Sequence, residues 1–187
     1  MKKTWDDIVR NNRELDEMVP KGFIAIAGNG TYNKIGYMYA KGYQVGAIYY
    51  WNHETGALLL ESPSLSKWIN EMNKTGEARI AQFIEEVKST EIVYGLIDGV
   101  GGGMAYAISN EDEDTDVMLF WASQTLANKC KEDEWRDYKI LAMSLQDFLK
   151  KWVPGMHKDE LLCGLNWGRD LTGEELEPMN LYSLLKK

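Results

Sequence analysis

The stretch from Ile48 to Ile69 constrains this chain more than any other, because it specifies a strand, a turn, a second strand and a capped helix in one unbroken run. Ala47 to Trp51 is aromatic and β-branched material that suits a pleated, half-buried surface. Asn52 to Gly56 supplies turn residues that close a hairpin onto Ala57 to Leu60. Ser62 followed by Pro63 reads as an N-cap and a first helical position, and Leu65, Trp68, Ile69 and Met72 give the helix its apolar stripe. A hairpin that runs directly into an amphipathic helix implies an α+β fold, with antiparallel sheet and helices packed on it.

Upstream, Trp5, Ile8, Val9, Asn12 and Leu15 follow helical spacing, Asp6 and Asp7 suit the positive end of that helix, and Pro20 with Gly22 stops it. Phe23 to Ala27 is a short apolar strand, Gly28 to Gly30 turns the chain, and Gly36 to Tyr39 is strand material. An antiparallel meander is expected. These parts, in this order, resemble the C-terminal half of a SUKH (Smi/Knr-like) domain: an apolar strand, a Gly-Asn-Gly turn, a polar strand, Tyr49 to Glu54, and a helix from Ser62 to Ile69. Asn52 stands where that family has Asp. The resemblance covers residues 1–75 as a truncated unit. Many SUKH-like proteins are immunity proteins, small acidic partners that block a toxin, so it implies direct binding rather than catalysis.

From Gly76 onward Ile80, Phe83, Ile84 and Val87 mark an amphipathic helix leading into a buried strand, Ile92 to Ile97. Gly99 to Gly103 lacks the Lys-Ser/Thr of a phosphate-binding loop and precedes strand-like Met104 to Ile108, so it reads as a hairpin tip. Val117 to Trp121 and Lys139 to Met143 are further strands, and Ser123 to Lys131 is a helix. Ser144 with Asp147 opens a helix carrying Leu145, Phe148, Leu149 and Trp152, ended by Pro154-Gly155. Leu161 to Trp167 is a last strand, and Thr172 with Glu175 forms a capping box before a short C-terminal helix limited by Pro178. Val93 to Leu96, Met104 to Tyr106, Phe120-Trp121, Cys130, Trp135 to Tyr138 and Phe148 to Gly155 together resemble the DUF2750 family, to which no activity is attached. The domains are therefore read as a truncated SUKH-like unit, 1–75, and a DUF2750-like domain, 76–187.

With 187 residues, 44% of them hydrophobic, the chain can bury a substantial core. Its apolar runs are far short of the roughly 20 residues needed to cross a bilayer, and Lys2-Lys3 leads into Trp5 rather than an apolar segment, which points to a cytoplasmic protein. Cys130 and Cys163 lie far apart and without ligand-spaced partners, so buried thiols are expected rather than a disulfide or zinc site. No catalytic or metal-binding constellation is found, and no cofactor is implied. His53 beside Glu54 reads as a hairpin-fixing pair, because no nucleophile accompanies it. The seven Trp and ten Tyr read mainly as core.

Net charge is −8, and it is unevenly placed: residues 1–75 hold nine Lys/Arg against eight Asp/Glu, whereas residues 76–187 hold twelve against twenty-one. Such a field repels nucleic acid and favours basic partners. The densest acidic cluster, Glu111, Asp112, Glu113, Asp114 and Asp116, lacks the turn Gly and terminal Glu of a calcium loop, and reads as a solvated hairpin loop able to project toward a protein partner. Three classes of function stay open. The first is a non-enzymatic binding protein, an immunity protein against a basic toxin; the second is a regulatory or structural interaction module; the third is an enzyme whose site assembles only in the fold. Because some seventy residues of truncated fold bury too little surface to stand alone, the first unit is expected to rest on the second, and residues 1–75 expressed separately should be unstable. Calorimetry checks this, and a cooperative melt of the fragment would refute it.

Overall fold

Strands rich in aromatic and β-branched residues pair in sequence order through the first part of the chain. β1 (Phe23–Gly28), β2 (Lys34–Met38), β3 (Ile48–Trp51) and β4 (Leu58–Ser62) form an antiparallel sheet in the order β1-β2-β3-β4, the meander expected from the turn residues. The computed structural model describes residues 12, 13, 15, 18–28, 32–131, 135–169 and 171–187, which fall into two compact units, Met1–Lys74 and Thr75–Lys187. Phe23, Ala25, Met38, Ala47, Tyr49 and Trp51 make the core of the first unit, with Leu15 and Val19 against it. Asn12 locks onto β1 with both ends of its amide: Nδ2 donates to the Ala25 carbonyl at 2.8 Å, and Oδ1 accepts from the Ala25 N–H at 2.7 Å. Of the helix expected from Trp5 to Leu15, only Asn12, Arg13 and Leu15 are described, all helical; the rest lies outside the described residues, as do Asn29 and Gly30 of the turn.

One cap moves. The helix α1 (Leu65–Met72) is capped by Ser64, whose hydroxyl accepts from Lys67 N–H, and not by Ser62. Ser62 pairs with Ile48 and is buried, so it belongs to β4. Pro63 is left as the link, which its fixed φ and the extended preference it imposes on Ser62 allow.

In the second unit Thr75 caps α2 (Gly76–Thr90), which buries Phe83 and Val87. β5 (Ile92–Ile97) pairs antiparallel with β8 (Lys139–Ser144). β6 (Tyr106–Ile108), β7 (Asp116–Phe120), β9 (Leu162–Leu165) and β10 (Glu174–Leu176) form a second sheet in the order β10-β9-β7-β6. Its β7–β9 pair is parallel, so this sheet is mixed where antiparallel pairing alone was expected. A parallel neighbour requires a crossover connection, and here it contains α3 (Gln124–Lys129), β8 and a helical stretch.

That helical stretch also departs from the expectation. It runs through α4 (Leu145–Asp147), a π-helical turn (Phe148–Trp152) and α5 (Val153–Lys158), so Pro154-Gly155 does not end it. The Val153 N–H reaches back five residues to the Phe148 carbonyl. This wider turn lets Pro154, which has no N–H, sit in the first turn of α5, where a free N–H would have no helical partner. The Thr172–Glu175 capping box is likewise absent: Glu174 to Leu176 is strand β10, paired with β9, and Pro178 begins α6 (Pro178–Lys186) rather than limiting it.

The alternation of β7 feeds two cores. Val117, Leu119 and Trp121 join one cluster with Leu96, Ala127, Trp135 and Trp167, while Phe120 and Ala122 join another with Phe83, Phe148, Val153 and Leu181. The Phe120 and Phe148 rings meet edge to face, 4.8 Å apart, and both are fully buried. Phe148→Ala is expected to destabilise the chain by about 3–5 kcal/mol, through lost burial and the cavity left beside Phe120. Equilibrium urea unfolding measures it.

Candidate functional site

Of the acidic residues singled out in the sequence, Glu111, Asp112, Glu113 and Asp114 lie in the connection between β6 and β7 and Asp116 opens β7, and all five are exposed. The loop is nevertheless tightly mounted. Ser109, buried, donates from its N–H to the Thr115 carbonyl at 2.9 Å and accepts at its hydroxyl from the Glu111 and Asp112 N–H groups. That hydroxyl donates in turn to Glu175 Oε2 at 2.6 Å, and the other carboxylate oxygen of Glu175 accepts from the backbone N–H and the side-chain amide of Asn110. Glu175 of β10 thus holds the base of the loop from 66 residues away in sequence.

Within the loop Asp112 accepts from the Thr115 hydroxyl at 2.8 Å and from the Asp114 N–H at 3.2 Å. These two bonds, the Thr115 hydroxyl first, hold its carboxyl below the usual range, so it stays ionised in mild acid. The arrangement is an Asx-type turn, which Ser and Asp in a hairpin connection form by bonding their own backbone. What it offers chemically is five fixed negative charges, with no nucleophile or base among them.

The remaining candidates resolve as structure. His53 Nδ1 lies 2.8 Å from Asn33 Oδ1, and the same oxygen accepts from the His53 N–H at 2.9 Å, which fixes the hairpin locally. Asn52, buried, accepts at Oδ1 from the Glu54 and Thr55 N–H groups, completing that turn. Asp98 performs the same service for the Gly99–Gly103 tip, accepting from Val100 and Gly101. Both cysteines are buried thiols. Cys130 donates to the Trp167 carbonyl at 3.0 Å, and burial, followed by the charge of Glu177, pushes the Cys163 thiol up to about 12. Neither has the solvent exposure of a reactive thiol. Among the described residues no group of three or more His, Cys, Asp or Glu is placed to hold a metal ion, and no helix is long and apolar enough to cross a membrane. Of the tyrosines between residues 32 and 50, Tyr32, Tyr39 and Tyr43 are exposed, whereas Tyr49 and Tyr50 are buried.

Sequence reasoning did not reach the partners of the loop. Ser109 and Asn110 carry a local turn signal, but nothing local marks Glu175, whose role depends on β10 lying near the base of the hairpin. An open hollow of about 610 Å³ also borders β6, lined by Tyr106, Ile108, Asn110, Trp135, Tyr138 and Leu171 among others. Its walls come from three separate parts of the chain.

An α+β domain with a charged, rigidly mounted hairpin loop is thus the class that the fold defines. The profile of the DUF2750 family, proteins of unknown function, matches residues 80–185, and the chain belongs to that family. The match covers more than half of the chain and all the strands of the second unit. No curated protein and no solved structure matches the chain.

If Glu175 mounts the loop, Glu175→Ala strands the buried Ser109 hydroxyl and frees Asn110. A loss of about 1–3 kcal/mol is expected, the range for a removed partner of a buried polar group. Hydrogen exchange at Asn110 to Thr115 should quicken in parallel. Unchanged stability and unchanged exchange would mean the loop holds itself.

Proposed function

We propose that this chain is a non-enzymatic protein-binding protein that holds a basic protein partner against its β6–β7 hairpin loop. The observation that carries this reading is the loop itself: five exposed carboxylates on a turn fixed by Ser109, Asp112 and Glu175. Loops set on a rigid sheet are common binding surfaces, and rigid charges lose less entropy on binding than mobile ones. The excess acid of residues 76–187 adds a long-range field of the same sign, which speeds the approach of a cationic partner. The SUKH-like order of residues 1–75 supports a finer form of the reading, in which the chain is a cytoplasmic immunity protein and its partner a basic toxin blocked by occupation of its substrate-binding face.

The test pairs the full chain with the product of a toxin gene adjacent to its own. The association rate is expected to fall at least about tenfold between 0.01 M and 0.15 M salt, as the Debye length shrinks from about 30 Å to about 8 Å. Replacing Glu111, Asp112, Glu113, Asp114 and Asp116 with the corresponding amides should slow association at low salt and leave the melting temperature nearly unchanged. A variant that associates at the unaltered rate in low salt would refute the acidic loop as the contact, and the exposed Tyr32, Tyr39 and Tyr43 become the surface to probe.

A further inference from the structure

Strand β6 ends its sheet: just before it Met104 bridges Ile97 and the Ala105 N–H donates to the Leu96 carbonyl of β5, and past that point, among the described residues, no strand or bridge lies on the outer side of Tyr106, Ala107 and Ile108. The direction of its backbone groups follows from its ladder with β7. Leu119 N–H donates to the Ala105 carbonyl, and Ser109 N–H donates to the Thr115 carbonyl. Alternate residues of an antiparallel strand point their N–H and C=O to the same side. Ala107, midway between Ala105 and Ser109 and in register with Val117, therefore faces β7, and Tyr106 and Ile108 turn theirs to the open edge. Natural edges are usually blunted by charge, proline, a bulge or a cover. β6 is short, but Tyr106, Ala107 and Ile108 carry no charge and no proline, and the residues Tyr106 and Ile108 are 59% and 60% exposed.

Two further features adjoin this edge. The hollow of about 610 Å³ runs beside it, with Trp135, Tyr138 and Leu171 as apolar wall. At the Ile108 end stands the acidic loop, and Asp116 lies directly opposite Ile108 in the ladder. An added strand would satisfy the outward N–H and C=O groups of Tyr106 and Ile108. Its alternate side chains would fill the hollow, and basic residues at one end would meet the five carboxylates. Antiparallel pairing is the more stable choice per residue. In that sense the added segment has its N-terminal end at the acidic loop, so its basic residues precede its apolar ones.

We propose that the outer edge of β6, with the hollow beside it, takes up an extended segment of a protein partner by strand addition, the segment reading basic residues first and alternating apolar residues next. This deepens the basic-partner reading and rests on it, because charge complementarity with the loop selects the occupant. Main-chain bonds give such a contact its affinity, and the hollow and the loop give it specificity.

The test uses the full chain and a synthetic peptide of about eight residues, about three Lys or Arg followed by alternating Val and Tyr. Hydrogen exchange should be fast at the Tyr106 and Ile108 amides in the free chain and should slow on peptide addition. N-methylation of alternate peptide amides, which leaves the charge untouched, should weaken binding by about tenfold or more, and so should reversing the order of the peptide. Ile108→Lys, at an exposed position, should weaken binding while leaving the melt unchanged. The strand-addition route is overturned if the N-methylated or reversed peptide binds like the parent, if no peptide binds, or if exchange at Tyr106 and Ile108 does not respond. It is also overturned if the free chain self-associates with those two amides protected, because the occupant is then a second copy. The basic-partner reading is judged separately, by whether association of the whole partner still falls with salt and with loss of the five acids.

Discussion

Burial of β7 on both faces is the constraint on which the second unit depends. A strand whose alternate residues all lie inside cannot be an outer layer, so it must have neighbours on both edges and cover on both sides. Val117, Leu119, Phe120 and Trp121 are each fully buried, and Met118 is half-buried. On one edge β9 lies parallel; on the other β6 lies antiparallel. Just beyond β7, Trp121 exchanges both backbone bonds with Tyr94, at 2.8 and 2.9 Å, and so ties this sheet to the β5–β8 pair. Its indole N–H also donates to the Trp167 carbonyl at 2.9 Å, an acceptor shared with Cys130. The junction leaves neither buried indole nor buried thiol without a partner, which a polar group in such a core requires.

The exposed edge is the counterpart of that covered centre. Cover thins outward from β7, and by β6 the flanking residues Tyr106 and Ile108 are mostly in solvent. The opposite edge of the sheet is occupied differently. β10 carries Glu174 and Glu175, one within 3.3 Å of Arg79 and the other engaged with Ser109 and Asn110. Charged residues with side-chain partners occupy one edge strand, and uncharged residues paired only with β7 occupy the other.

Much of this architecture is legible in the sequence wherever the determinant is local. The strands between Phe23 and Ser62 follow from aromatic and β-branched runs separated by turn residues. Ser144 caps its helix as its spacing to Asp147 announces, its hydroxyl accepting from the Asp147 N–H, whereas the cap read at Ser62 falls to Ser64. The Gly99–Gly103 tip and the acidic loop lie where alternation breaks. What stayed hidden was settled by distant partners. The parallel pairing of β7 with β9 depends on a crossover of some forty residues. Glu174 to Leu176 is a strand because β9 is beside it, not because its sequence favours one. Pro154 was misleading for a related reason: the rule that it ends a helix assumes regular α geometry, and a π turn removes the conflict. The candidate site divides the same way, with the acids visible and Glu175 not.

Fixing five carboxylates within six positions works against the stability of the free chain. Unit charges about 4 Å apart repel by about 1 kcal/mol in water, and more where solvent is excluded, so full exposure is the condition that keeps such a loop tolerable. Asp112 lessens the strain by spending its lone pairs on Thr115 and Asp114, and the Ser109 hydroxyl and Glu175 hold the base without adding cations. Among the described residues, ion pairs of this unit join Arg79 to Glu174 and Lys151 to Asp147, away from the loop. The loop is therefore built to keep its charge rather than to cancel it. A cation that docks there relieves repulsion already present in the free state and adds attraction of its own, so the interaction gains from both. An apolar residue arriving at the hollow gains only its own burial, so in the proposed mode of binding the loop would govern approach and the edge of β6 would govern retention.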